Sequence, residues 1–423
     1  MENVGLIKMG KMRFAGLLCF SAFLVTAFVV FSGCGGGGQS SANTGTTTTS
    51  FTSSLITTTT TTRTGSVSPL GAGPYTVGST NIEINQGAIA VGRTIGDYLQ
   101  GYNDGTSLYY LSSALLNPND AFTFNVTVPS DTSMYGIQAG ATLKYVAFIL
   151  YPTTASNNRS DLPQGQNVVP KMQLAGQSPI FADAAAKYPL VVWSHGRGSA
   201  PVDGENLPAA VQLASHGYVV CVLFHGDNRF PQTTATNLTE WEQFTLRPLT
   251  VKSAIDALLA SPAFSSNIDP NRIGGLGRSF GGGTFMALAG GKIAGPTLLA
   301  TRSTVTDSRI KATAGVVPLL GQSFFGFMNA GISGVSAPFM AVTAANDEFT
   351  TQSDYLNVIG RLAGVRYLVK IDGETHGLST AASTDAMTWA IYFLNAQVAG
   401  NATAQSVLGD MLNVVGGATD NVL

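Results

Sequence analysis

From residue 143 onward, short continuous apolar runs alternate with stretches in which apolar side chains recur every three or four positions. The runs cover 143–151, 190–193, 218–224, 273–277, 310–317, 339–343 and 365–371. All are of strand length, and most lack polar alternation, which is the pattern of strands covered on both faces. Between them, residues 207–215 close on His216-Gly217, a helix stop. Val251, Ala254, Ile255, Leu258 and Leu259 recur at helical spacing before Ser261-Pro262. Residues 284–289 read as a further helix and 387–398 as a last amphipathic one. Strands alternating with helices in this way predict a mostly parallel, doubly wound α/β domain. The segment 67–140 breaks the pattern. It is rich in Tyr, Asn, Gly and Thr, with short runs such as 121–128, and reads as β-hairpins or a loop-rich cap.

The first residues obey a different rule. Lys8, Lys11 and Arg13 precede an uncharged apolar run over 14–31 that breaks at Ser32-Gly33-Cys34-Gly35. This is the order of a secretory signal; the other reading is a transmembrane anchor, because a run of that length just spans a bilayer. Small residues followed by Cys34 resemble the lipobox of bacterial lipoproteins, with Phe31 where Leu is usual. The resemblance implies that 1–33 is removed and that Cys34 becomes a lipidated first residue. Each buried methylene of the attached chains would contribute about 0.8 kcal/mol to membrane anchoring. Gly35, rather than an Asp, suits an outer-membrane destination; without lipidation the product would be periplasmic or secreted. Residues 34–66 are almost wholly Gly, Ser and Thr, the composition of a flexible tether. The catalytic domain is then expected over 67–423, with an insertion at about 79–140.

Composition removes other classes. Only 11% of residues are charged, the formal net charge is −2, and there is no Lys/Arg block, so nucleic acid is not an expected partner. Of the three cysteines, Cys19 leaves with the signal and Cys34 takes lipid. Cys221 remains alone in an apolar run, as a small buried hydrophobe. There is no His-Glu-x-x-His and no Cys-x-x-Cys, and Gly281-Gly282-Gly283 lacks the Lys-Ser/Thr of a phosphate loop. Neither metal nor cofactor is expected.

What remains is nucleophilic chemistry. Gly277-Arg278-Ser279-Phe280-Gly281 is a Gly-x-Ser-x-Gly pentapeptide between a strand-like and a helix-like run. A serine hydroxyl is a weak nucleophile near neutral pH, so it needs a base, an oxyanion site and exposure on a sharp turn. Four histidines are available, and His376 follows the last apolar strand, where a base can reach over the strand ends; His225 is the alternative. Asp347 follows the preceding strand in Asn346-Asp347-Glu348 and is the candidate acid, with Glu348 and then Asp372 behind it and a helix N-cap as its structural alternative. The loop Ser194-His195-Gly196-Arg197 suggests backbone N–H groups of Arg197 and Phe280 as oxyanion donors, with His195 fixing the loop.

These residues resemble the bacterial platelet-activating-factor-acetylhydrolase-like and dienelactone-hydrolase-like α/β hydrolases. The resemblance runs from Gly73 to about His376. Its pieces are Gly73-Pro74-Tyr75-Thr76-Val77-Gly78, Tyr151-Pro152, Trp193-Ser194-His195-Gly196, Leu213-Ala214-Ser215-His216-Gly217-Tyr218 and Ile268-Asp269-Pro270-Asn271-Arg272-Ile273-Gly274. It implies an α/β-hydrolase fold and hydrolysis of carboxylic esters through an acyl-enzyme on Ser279. Three positions depart from the family pattern: Arg278 stands where His is usual, an insertion separates Gly78 from Leu143, and the nucleophile is serine where true dienelactone hydrolases carry cysteine. Short- to medium-chain esters are the expected substrates, with polyesters a narrower expectation. The rival expectation is a surface binding or adhesion lipoprotein on a hydrolase scaffold whose catalysis has lapsed.

Overall fold

The computed structural model describes residues 63–82, 121–225 and 240–422, apart from single positions 165, 175, 198, 203, 296 and 297. The expected signal 1–33, Cys34, most of the tether and residues 83–120 of the expected insertion lie outside the described residues.

Among the described residues one mixed sheet of ten strands organises the chain. In chain order its elements are β1 (Thr76–Ser79), β2 (Phe122–Thr127), β3 (Thr142–Thr153), β4 (Tyr188–Ser194), α1 (Asn206–Ser215), β5 (Val219–Phe224), α2 (Glu240–Ala260), β6 (Ile268–Arg278), α3 (Phe280–Leu288), β7 (Ile310–Val316), β8 (Phe339–Ala344), α4 (Gln352–Ile359), β9 (Arg366–Ile371), α5 (Thr380–Gln397) and β10 (Asp420–Val422). The spatial order is β10-β9-β8-β7-β6-β4-β5-β3-β1, with β2 paired to β3. Strands β5, β4, β6, β7, β8 and β9 run parallel to one another. The sheet is therefore mostly parallel, as the apolar runs predict. Its edges are antiparallel, and β3, over the first of those runs, is antiparallel to β5.

Continuous apolar strands form here because both faces are covered. Val191 and Trp193 of β4 join one core while Leu190 and Val192 join the other; Val220, Val222 and Phe224 of β5 divide from Val219, Cys221 and Leu223 in the same way. A strand's side chains alternate between faces, so two cores require apolar residues at every position. Residues of α1 and α5 fill the first core, and residues of α2, α3 and α4 fill the second. Cys221 is fully buried, and burial raises its thiol pKa. Among the described residues, no helix is long and apolar enough to cross a membrane.

Three details go beyond what the sequence pattern predicts. The end of the tether is docked: Arg63 donates to the Leu408 carbonyl at 2.7 Å, and Gly65–Val67 pairs in parallel with Met411–Val414. Small residues with no core of their own can still be held when a neighbouring strand supplies hydrogen bonds. Within the expected insertion, β2 pairs with β3 over their whole facing length, so this stretch completes the main sheet. Helix α2 begins well before Val251 and runs through Pro248. A proline removes one backbone donor and usually stops a helix; here the buried faces on either side of it carry the helix across.

Candidate active site

The end of β6 and the start of α3 meet at Ser279. Its backbone lies at φ 52° and ψ −120°, a conformation that a residue with a side chain adopts only under constraint. The constraint is visible in the hydrogen bonds. Ser279 N donates to the Val316 carbonyl at 2.9 Å, while the Ser279 carbonyl accepts from Leu319 N at 2.8 Å and Gly282 N at 2.9 Å. The turn is so tight that a Cβ on Gly277 would lie 2.3 Å from the backbone carbon of Gly281, and one on Gly281 would lie 1.9 Å from the Ser194 carbonyl oxygen. Glycine at both positions is thus a steric requirement of the turn.

Parallel strands deliver their following loops to one edge of the sheet. The loop after β9 carries His376, and the loop after β8 carries Asp347. His376 Nε2 lies 2.8 Å from Ser279 Oγ, and its Nδ1 lies 3.0 Å from each Asp347 carboxylate oxygen. Bonding to a carboxylate puts the ring proton on Nδ1, so Nε2 accepts from the serine hydroxyl. Asp347 is buried and does not cap α4, whose N-cap is Thr351. Its Oδ1 accepts from the N–H groups of Phe349 at 2.9 Å and Thr350 at 3.0 Å, and its Oδ2 accepts from Tyr355 Oη at 2.8 Å. Burial works to raise the Asp347 pKa, but the bond from His376 and those from Thr350 and Phe349 outweigh it and hold the carboxyl below its ordinary value. Glu348 Oε2 accepts the backbone N–H of His376 at 3.1 Å, and Asp372 pairs with Lys370 at 3.0 Å; each therefore occupies a different position from Asp347. The Phe349 ring stands edge-on to the imidazole with centroids 4.7 Å apart.

The loop after β4 lies on the other side of Ser279. A Cβ on Gly196 would be 3.5 Å from Ser279 Cβ and 4.0 Å from its Oγ. The Gly196 carbonyl accepts from His195 Nδ1 at 2.7 Å and Arg247 Nη2 at 3.3 Å, and Arg247 Nη1 also donates to the His195 carbonyl at 2.6 Å. A trans peptide points its N–H opposite to its C=O. Two donors gripping the Gly196 oxygen consequently fix the direction of the Arg197 N–H. The Arg247 guanidinium also lies over the Phe280 ring, 4.6 Å from its centroid. Phe280 opens α3, where the first N–H groups have no partner within the helix. His225 is engaged elsewhere: its Nε2 pairs with Ser194 Oγ at 2.7 Å. Burial, then the charge of Arg247 and the neighbouring His195, hold the His225 pKa well below the ordinary histidine value. Ser194 and His225 form a structural pair.

Ser279 and His376 open onto a cleft of about 530 Å³ that also touches Arg197, Arg278, Phe324 and Phe349. Arg278, one residue before the nucleophile, forms an ion pair with Glu205 at 2.9 Å. Arg247, Tyr355 and Glu205 are not legible in the sequence because none belongs to a motif; the one available signal is an arginine set with Pro248 between Leu246 and Leu249. Among the described residues, no group of three or more His, Cys, Asp or Glu side chains is arranged to hold a metal ion.

No curated protein matches the chain. A family model described as platelet-activating factor acetylhydrolase, isoform II, matches residues 61–244, which contain the Gly196-Arg197 loop and end before Ser279. Over residues 61–244 the chain is thus similar to the platelet-activating factor acetylhydrolase, isoform II, family, a serine esterase family of the α/β-hydrolase type, and its mostly parallel, helix-covered sheet is an α/β-hydrolase fold.

Proposed function

We propose that the chain is a serine carboxylic-ester hydrolase that works through an acyl-enzyme. The observation that carries this reading is the hydrogen-bond chain from Asp347 through His376 to Ser279, on a strained turn at the mouth of a cleft. Ser279 Oγ attacks the ester carbonyl carbon as its proton passes to His376 Nε2. Asp347, kept ionised by its hydrogen bonds, holds the imidazole in the required tautomer and stabilises the imidazolium. The backbone N–H groups of Arg197 and Phe280 bind the oxyanion of the tetrahedral intermediate. His376 then returns the proton to the departing alcohol. A water molecule, activated by the same imidazole, releases the acid and restores Ser279. No step requires a metal or organic cofactor.

In this reading the substrates are short- to medium-chain esters, and polyesters are a narrower extension. The membrane partner is reached through lipid on Cys34 after export, which leaves the esterase held at a bacterial membrane surface.

The test uses p-nitrophenyl esters and a fluorophosphonate probe. Covalent labelling should fall on Ser279, and Ser279→Ala should abolish both labelling and turnover. Asp347→Asn should lower kcat by about 10⁴-fold with the fold intact, the scale on which a triad suffers when its acid loses its charge, whereas Glu348→Gln should retain most activity. Full turnover in Ser279→Ala defeats the assignment. A folded protein that neither labels nor turns over supports the lapsed scaffold instead.

A further inference from the structure

The Arg278–Glu205 ion pair separates two cavities. On one side is the cleft at Ser279; on the other is a second cavity of about 340 Å³, and Arg278 and Glu205 line both. The second cavity lies between α1 and α5, with Trp193, Leu276, Val316, Leu378 and Met387 among its walls. Its volume falls within the range of small-molecule sites, and its walls are mostly apolar. Glu205 stands at the N-cap position of α1 yet makes no capping hydrogen bond with its side chain. Its carboxylate instead reaches Arg278, and the pair is partly exposed, with side-chain accessibilities of 15% for Arg278 and 56% for Glu205. Glu205, the more exposed partner, can turn its carboxylate into solvent, and added salt screens the pair.

We propose that the second cavity is a subsite for the aliphatic chain of the ester and that the Arg278–Glu205 pair gates it. This rests on the esterase reading above. With the pair closed, a chain leaving the Ser279 cleft meets a charged wall, and long chains are disfavoured because they would have to desolvate it. With the pair open, the same chain runs on into an apolar cavity. Chain-length preference is thereby set by one residue of the nucleophile turn and one residue at the start of α1.

The test compares kcat/KM for p-nitrophenyl butyrate and decanoate. Arg278→Met should raise the decanoate-to-butyrate ratio by about tenfold or more, the scale on which pockets discriminate between chains differing by a methylene. Glu205→Gln should raise it in the same direction, and added salt should raise it in the unaltered protein but not in Glu205→Gln. Filling the cavity in Arg278→Met/Ala209→Phe should reverse the gain. A readout independent of hydrolysis uses Ser279→Ala protein and a brominated decanol, which quenches a tryptophan that it touches. Quenching attributable to Trp193, by difference from Trp193→Phe, should strengthen when Arg278→Met is added and vanish when Ala209→Phe is added as well. Should quenching follow this pattern while ester turnover does not depend on Ser279, the cavity assignment stands and the esterase reading falls. An unchanged chain-length ratio in folded Arg278→Met, together with unchanged quenching, overturns the proposal.

Discussion

Arg247 carries a full charge into the protein interior, where its residue is 1% exposed. Such a charge is tolerated only when its donors are satisfied. Its donors reach the carbonyls of His195 and Gly196, and its plane rests on Phe280. All three contacts adjoin the two peptide groups assigned to the oxyanion, which makes Arg247 a positioning residue. Arg247→Lys keeps the charge but loses the planar fork that holds two carbonyls at once. We expect kcat to fall by up to about 10²-fold, approaching the loss of one oxyanion donor, with KM little changed. Arg247→Ala should recover part of its kcat when guanidinium is supplied at low concentration. A proportional rise in KM, or recovery with any salt, would assign Arg247 a purely structural role. Ser279 is legible as a candidate from its Gly-x-Ser-x-Gly turn, and Asp347 and His376 because each sits in a short polar loop after an apolar run. Arg247 is not legible in that way, since its task is defined by carbonyls some fifty positions away in the chain.

Among the elements, the turn from β6 to α3 depends on close backbone approach. The Cβ introduced by Gly281→Ala would meet the Ser194 carbonyl oxygen, a backbone atom of β4 that cannot rotate away. Overpacking of a core costs about 1–3 kcal/mol even where side chains can adjust. We therefore expect Gly281→Ala to lower the thermal midpoint by many degrees or to prevent folding. Gly409 provides the control. It lies in the helix Ala402–Asp410, and a Cβ added there would meet nothing within 4 Å, so Gly409→Ala should stabilise by about 0.4–1 kcal/mol. Equal midpoints for the two variants would contradict the steric account. The elements themselves are mostly visible in hydrophobic periodicity, but their limits depend on partners. Pro248 marks a helix end by local rules, and α2 crosses it because both sides bury apolar faces.

For the molecule as a whole, the C-terminal edge of the sheet links stability to pH. Asp420 of β10 is buried and accepts from Trp389 Nε1 and Val414 N, each at 3.1 Å. Asp385 of α5 is also buried, and burial followed by repulsion from Asp420 raises its pKa to about 6. The folded state therefore holds a proton that the unfolded chain, with an ordinary aspartate near about 3.9, has lost. The contribution of Asp385 to stability should fall as pH rises through the window from about 4 to 6 and level off above it. Asp385→Asn should flatten that part of the curve and raise the thermal midpoint at pH 7; an unchanged slope would show that the pair is not coupled to folding. This effect is invisible in the sequence, where the two aspartates are ordinary and distant. Other properties are written along the chain: the alternation of strands and helices, the two-faced burial of the sheet, the sharp serine turn, and the candidate base and acid. They follow from local rules of periodicity, sterics and loop position. It took the folded arrangement to bring β2 into the main sheet, to hold residues 63–66, to set Arg247 against the Gly196 loop and to place Arg278 and Glu205 between two cavities. Each of these arises from groups far apart in the chain that become neighbours when the sheet forms, and no local pattern encodes which neighbour a side chain will meet.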